Sequence, residues 1–188
     1  MDGGLRHVLA CGRVPDLLLG DLDSVDPDEV TNLESLGVEV KRFPVEKDES
    51  DLELALMMAV DRGFETLTLA GILGGRLDHT LANLNLLMLS ELRGCVVVIE
   101  SGAEEVFLIR QAVTILGTPG DLVSLIPLTA DAGGVTTTGL QYRLMNETLK
   151  IERSRGVSNV MLTKQAAVSV VSGTFLCVHS RQTKMEEK

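Results

Sequence analysis

The sequence predicts an α/β chain, with an N-terminal domain built on a parallel sheet and a C-terminal domain made of strands alone. Two observations carry this. Up to about Gly102, short apolar runs alternate with helical patterns, as in a parallel sheet covered on both faces. Beyond Gly102 helical periodicity stops. Short segments rich in Val, Thr, Ile and Ser follow, broken by Gly and Pro, as in a sandwich or an open barrel. The expected boundaries are residues 1–101 and 102–182, with 183–188 a disordered tail.

Leu17-Leu18-Leu19, closed by Gly20, is a buried-strand run. Pro27 to Leu36 reads as a helix with Asp26 as its N-cap, Pro27 at the first helical position and Gly37 as its stop. Val38 to Phe43 is the second strand. Ser50 to Arg62 is a helix whose Ser50 and Glu53 have capping-box spacing. Thr66 to Ala70 is a strand, Leu81 to Leu92 a helix and Val96 to Ile99 a β-branched strand. In the second half, Asp121–Pro127 and Gly134–Thr138 are strands. Val168–Val171, Ser172-Gly173 and Thr174–Val178 read as a tight hairpin.

Composition narrows the function. Of 188 residues 45% are apolar, enough for a core, but aromatics are 3% and Trp is absent, so Leu, Val, Ile, Met and Ala must fill it. A net charge of −10 argues against non-specific nucleic-acid binding and against an acidic membrane surface. Three dispersed cysteines imply a reducing compartment, and neither a signal peptide nor an apolar spanning run is visible, so a cytoplasmic location is expected.

Three loops at strand ends could carry chemistry. Gly20-Asp21-Leu22-Asp23-Ser24 places two carboxylates at i and i+2, where an extended backbone would turn both to one side and a hard cation such as Mg²⁺ would relieve their repulsion. The same aspartates would serve as turn formers. In Glu46-Lys47-Asp48-Glu49-Ser50-Asp51, Asp51 opens a helix, where acids are favoured by the dipole alone. It could also join Asp21 and Asp23 around a metal while Lys47 meets a phosphate. Gly71 to His79 contains Gly74-Gly75-Arg76 before a helix. Glycines there let a phosphate approach, Arg76 could fork onto it, and Asp78 could be the N-cap. No P-loop is present, and the three histidines have no metal spacing.

Together these stretches resemble the bacterial thiamine pyrophosphokinases over nearly the whole chain. The motifs are Asp2-Gly3-Gly4, Val14-Pro15-Asp16, Gly20-Asp21-Leu22-Asp23-Ser24, Lys47-Asp48-x-Ser50-Asp51-x-Glu53 and Gly74-Gly75-Arg76-x-Asp78-His79. Ser124-Leu125-Ile126-Pro127, Gly139-Leu140-x-Tyr142 and Gly156-Val157-Ser158-Asn159 follow. The resemblance implies a nucleotide-binding α/β domain, a C-terminal β-sandwich that binds thiamine, and a homodimer whose active sites lie between subunits. It implies Mg²⁺ on Asp21, Asp23 and Asp51, supported by Asp2 and Asp78. Lys47, Asp48, Gly74, Gly75 and Arg76 would lie at the ATP phosphates, and Ser158 and Asn159 near thiamine. The implied reaction moves diphosphate from Mg·ATP to thiamine and releases AMP.

Two features depart from that family. Its members carry about one strand–helix unit before Asp-Gly-Gly, whereas Asp2 here follows Met1; a missing strand is expected to expose a sheet edge and leave the nucleotide pocket incomplete. Leu5-Arg6 also replaces the usual Ala-Asn. Two rival readings remain open at this point: another Mg-dependent phosphotransferase or phosphohydrolase, and a non-catalytic nucleotide- or thiamine-binding protein.

Overall fold

A computed structural model describes residues 4–182; Asp2 and the 183–188 tail lie outside them. In chain order the elements are α1 (Leu5–Ala10), β1 (Leu17–Gly20), α2 (Pro27–Ser35), β2 (Glu39–Arg42), α3 (Asp51–Asp61), β3 (Thr66–Ala70), α4 (Leu77–Leu86) and a 3-10 turn (Ser90–Gly94). Strands β4 (Val96–Glu100), β5 (Glu104–Ile109), β6 (Ala112–Leu116), β7 (Leu122–Pro127) and β8 (Ala132–Thr138) follow. The last are β9 (Glu147–Leu149), β10 (Asn159–Val160), β11 (Gln165–Ser169) and β12 (Phe175–Ser180). The fold is mixed α/β with few helices.

The described chain forms two compact units that interleave along the sequence. The first takes the chain up to Glu65 together with Leu81–Cys95; the second takes Thr66–Thr80 and the chain from Val96 onward. In the first unit β1 and β2 pair in parallel, Leu17 opposite Glu39 and Gly20 opposite Arg42. Leu18, Val30, Leu33 and Val38 are buried together beside them. The caps of α2 and α3 form as their residue types dictate. Asp28 N–H donates to Asp26 Oδ1 at 2.9 Å, and Glu53 N–H donates to Ser50 Oγ at 3.2 Å, each satisfying a donor left over at a helix start.

In the second unit six strands run β10-β7-β12-β5-β4-β3 and four run β6-β11-β8-β9. Side chains from both sheets, among them Ile109, Val123, Leu125, Val135, Val168 and Phe175, meet in one apolar cluster. It contains a single aromatic of full size, Phe175, so aliphatic packing dominates it, as the composition requires.

Several expectations are corrected here. Parallel pairing is confined to β1–β2 and β3–β4, and β4 continues into antiparallel β5, so the first-half strands do not make one parallel sheet. The helix expected over Leu81–Leu92 starts and ends earlier, with Ser90–Gly94 a separate 3-10 turn. The expected hairpin around Ser172-Gly173 is absent. Strand β11 pairs with β6 and β8 while β12 pairs with β5 and β7, so the turn carries the chain from one sheet to the other. A tight turn reports a local reversal, whereas the choice of partner is set by distant strands.

Candidate active site

Strands β1 and β2 are parallel, so the loops after Gly20 and Arg42 leave the same end of the sheet; Phe43 N–H still donates to Gly20 O at 2.9 Å. In the first of these loops Leu22 has φ 61° and is buried. A left-handed leucine costs about 1–3 kcal/mol and persists only where its surroundings hold it. Here the side chain packs with Leu5, Leu18 and Val25. The segment is therefore a turn and not extended, which corrects the expected i, i+2 alignment of Asp21 and Asp23. Asp23 N–H donates to Asp21 Oδ1 at 3.2 Å, and Asp21 is half-buried while Asp23 is exposed.

The second loop ends at α3, where Asp51 is the first helical residue. Lys47 Nζ stands 3.0 Å from Asp51 Oδ1 and also donates to Pro44 O at 3.2 Å. Its approach to Asp51 is Coulombic and lacks the angle of a hydrogen bond. Asp51 Oδ1 is the one buried side-chain oxygen among the described residues without a hydrogen bond. Such an atom costs about 1–3 kcal/mol unless something satisfies it. The flanking Asp48 is exposed.

In the second unit, Gly74 (φ 91°) and Gly75 (φ 69°) are consecutive left-handed residues, and nothing lies within 4 Å of where a Cβ would stand on either. They are required by backbone conformation, and the space over them is open. Arg76 follows, and its guanidinium grips Asp78: Nε donates to Oδ1 at 3.1 Å. Asp78 is not the N-cap; it lies within α4, and its Oδ1 accepts the N–H of His79 at 3.0 Å. Arg76 above all, with that N–H, holds the Asp78 carboxyl down to about 2 although both side chains are exposed.

Farther along, Ser158 has φ 58° and its N–H donates to Ser124 Oγ at 2.9 Å. Asn159 is buried against the backbone of Tyr142. The sequence gives the three histidines surface or core roles, and His179 takes a core one. What the sequence does not show is its pair of partners: His179 is 1% exposed between Glu105 Oε2 and Asp121 Oδ2, each at 3.1 Å. A signal existed in the alternation of β12, where Phe175, Cys177 and His179 fall on one buried face.

Hard carboxylate oxygens and an unsatisfied Asp51 Oδ1 fit a divalent cation such as Mg²⁺. Among the described residues, however, no three His, Cys, Asp or Glu side chains stand together closely enough to share one ion. Asp21, Asp23 and Asp51 are thus not gathered into a finished cage, as is usual for Mg²⁺, which takes one or two carboxylates, waters and substrate phosphates. No described helix is long and apolar enough to cross a membrane.

Glycine-bearing and acid-bearing loops that follow strands in a mixed α/β chain lie where α/β proteins bind their ligands, at strand ends. The chain belongs to the thiamin pyrophosphokinase family: the family's catalytic-domain model matches residues 1–99 and its vitamin B1 binding domain matches residues 110–175. It is 26% identical over 190 residues to the thiamine pyrophosphokinase of Bacillus subtilis, covering 96% of this chain and 85% of that one. The crystal structure of the Bacillus subtilis protein superposes with a TM-score of 0.86 at 26% identity, over 97% of this chain and 86% of that one. A thiamin pyrophosphokinase family protein from Enterococcus faecalis gives the same TM-score, 0.86, at 26% identity, over 97% and 87%. Thiamine pyrophosphokinase 3 of Oryza sativa is 26% identical over 86% of this chain, which spans 64% of that longer protein.

Proposed function

We propose that this chain transfers a diphosphate group from ATP to the hydroxyl of thiamine, giving thiamine diphosphate and AMP. The thiamine hydroxyl oxygen attacks the β-phosphorus. The bond from that phosphorus to the oxygen bridging to the α-phosphate breaks, and AMP leaves with that oxygen. The hydroxyl proton passes to a carboxylate of the strand-end loops or to solvent. The reaction asks mainly for charge neutralisation and for two oxygens held in line.

In this reading Asp21, Asp23 and Asp51 hold Mg²⁺, and Asp2 and Asp78 support them. The ion, when bound, offsets the charge of the phosphate oxygens. Lys47, released from Asp51, and Arg76, released from Asp78, bind the triphosphate. Asp48 lies beside it, and the open space over Gly74 and Gly75 admits it. Residues 1–101 serve as the nucleotide-binding region. Residues 102–182 form the β-sandwich that binds thiamine near Ser158 and Asn159. The working form is a cytoplasmic homodimer, each active site completed by the partner.

The observation that carries the reading is the match of both family domains, in order, along one chain whose Asp51 keeps an unsatisfied oxygen. Phosphorus NMR of the chain with thiamine and Mg·ATP tests it. AMP and thiamine diphosphate should appear in equal amounts. ADP as the product would mean ordinary kinase chemistry, inorganic phosphate would mean a hydrolase, and binding without turnover would mean a non-catalytic protein.

A further inference from the structure

From β2 through the end of α3 the chain carries four basic residues, Lys41, Arg42, Lys47 and Arg62. Three are engaged. Lys41 and Arg62 both face Glu39, at 3.6 Å and 2.7 Å, and Lys47 faces Asp51 at 3.0 Å. Arg42 is exposed, and its side chain has no hydrogen bond and no ion pair with any described residue. Yet Glu46, Asp48, Glu49 and Asp51 follow it closely in the chain, and Asp21 and Asp23 leave the end of the neighbouring strand. An arginine among so many carboxylates that pairs with none of them keeps its whole fork of N–H donors for another partner. Arg42 lies outside every motif named above.

Strand geometry fixes where that guanidinium leaves the sheet. In the β1–β2 pair Leu18 stands opposite Val40, and Gly20 opposite Arg42. Side chains alternate along a strand, so Arg42 shares a face with Val40, while the paired Glu39 and Lys41 share the other. Val40 packs against the apolar cluster that holds Leu18 and Leu22. Arg42 therefore emerges at the carboxyl end of the pair, on the face where the Leu22 turn separates Asp21 from Asp23. Gly20, across from it, has no side chain to fill the space beside it. The Phe43 N–H bond to Gly20 O, at 2.9 Å, ties the adjoining backbone to the other strand. The anchor is thus held, and the charged head is left free.

We infer that Arg42 is a phosphate-binding residue of the nucleotide site, its guanidinium forking onto oxygens of the ATP triphosphate. Charge selects this ligand. Asp21, Asp23 and Asp51 offset a divalent ion and Lys47, so that set leaves the triphosphate's own charge unanswered, in a chain of net charge −10. Arg42 supplies a cation at the same strand ends, in the planar form that matches two phosphate oxygens. Thiamine does not suit it, since a guanidinium repels the cationic thiazolium. The inference deepens the reading given above and rests on its ATP part.

Equilibrium binding of a non-hydrolysable ATP analogue with Mg²⁺, beside steady-state assays, tests this on the full chain. Arg42→Gln should weaken analogue binding and raise the ATP KM about tenfold, as loss of one charge-assisted contact predicts. Its thiamine KM and thermal midpoint should stay near wild type, because the side chain is exposed and unpaired. Arg42→Lys keeps the charge without the fork and should fall between the two. Arg13→Gln removes the same charge from an exposed residue ahead of the amino end of β1, and it should bind the analogue like wild type. Added KCl should weaken analogue binding less steeply in Arg42→Gln than in wild type, a difference that a merely structural role would not give. If AMP and thiamine diphosphate form but Arg42→Gln matches Arg13→Gln in analogue binding and ATP KM, the inference fails and the proposed reaction stands. If the analogue binds through Arg42 but neither product forms, the inference holds and the proposed reaction falls. If the wild-type chain binds no analogue, both fall.

Discussion

Two aspartates, one in each unit, face a nitrogen-bearing side chain, Asp121 buried and Asp51 half-buried, and they differ in what else holds them. Asp121 leads into β7 and is saturated. Its Oδ2 accepts the Thr118 N–H at 2.8 Å and faces His179 Nε2 at 3.1 Å, while its Oδ1 accepts the Gln182 N–H at 2.9 Å. Asp51 opens α3 with only the off-axis Lys47 ammonium beside an otherwise bare Oδ1. A carboxylate that its own chain satisfies is part of the architecture. One held by a single ion pair, with no hydrogen bond to its shielded oxygen, keeps capacity for a ligand. On this contrast the network around β5, β7 and β12 holds itself together, and the strand ends of β1 and β2 carry the proposed site.

The largest expected effects separate these regions directly. Asp51→Asn and Asp23→Asn should each lower turnover on the order of 100-fold, as the loss of one charge-stabilising group does, while the thermal midpoint stays near wild type. Asp121→Asn should do the reverse, costing about 3 kcal/mol of stability because it leaves His179 buried beside a neutral partner, with kcat little changed. Thermal melts and steady-state assays on the same three variants check both halves. A large stability loss in Asp51→Asn would erase the contrast.

A smaller effect is expected at Gly117. A Cβ there would stand 2.7 Å from Asp121 Oδ2 and 2.8 Å from both His179 Nε2 and Met161 Sδ. Gly117→Ala should therefore cost about 1–3 kcal/mol by overpacking a saturated network. A melt within error of wild type would show that the network is loose.

The pH dependence sharpens the same comparison. Burial pushes the Asp121 carboxyl up, but the N–H groups of Thr118 and Gln182 and the His179 ring outweigh it, and the net is below the usual 3.8. The folded state thus holds the proton less tightly than the unfolded chain. The resulting stability is complete above about pH 4 and is lost as the pH falls through the lowered value. Denaturant melts of the wild type should weaken across that acid window, and those of Asp121→Asn should be flatter there. The smallest effect is local to Asp78. Arg76→Ala should return its carboxyl from about 2 towards 3.8, read by carbon NMR, with little change in stability because the pair is exposed.

Local chemistry was legible in the sequence. Asp26 and Ser50 cap the helices they were expected to cap, because a cap is decided within four residues. The glycines of the Gly74-Gly75 turn and the order of the strand-end loops were legible for the same reason. Long-range choices were not. Nothing near Val168 says that it pairs with Thr137 and Val113 and not with the strand that follows it. The buried Asp121–His179 contact joins residues 58 apart. The Leu22 turn that sets Asp21 and Asp23 depends on a leucine side chain finding a core formed by α1 and α2. In the candidate site the residue types could be read, whereas the Lys47–Asp51 and Arg76–Asp78 pairings needed coordinates.

Electron paramagnetic resonance of Mn²⁺, in place of Mg²⁺, tests the account most directly. Titrated with a non-hydrolysable ATP analogue present, the wild-type chain and Asp121→Asn should each bind one nucleotide-dependent Mn²⁺ per chain, and Asp51→Asn should bind it far more weakly. Equal Mn²⁺ binding by Asp51→Asn and wild type would contradict the assignment of that bare oxygen to a ligand.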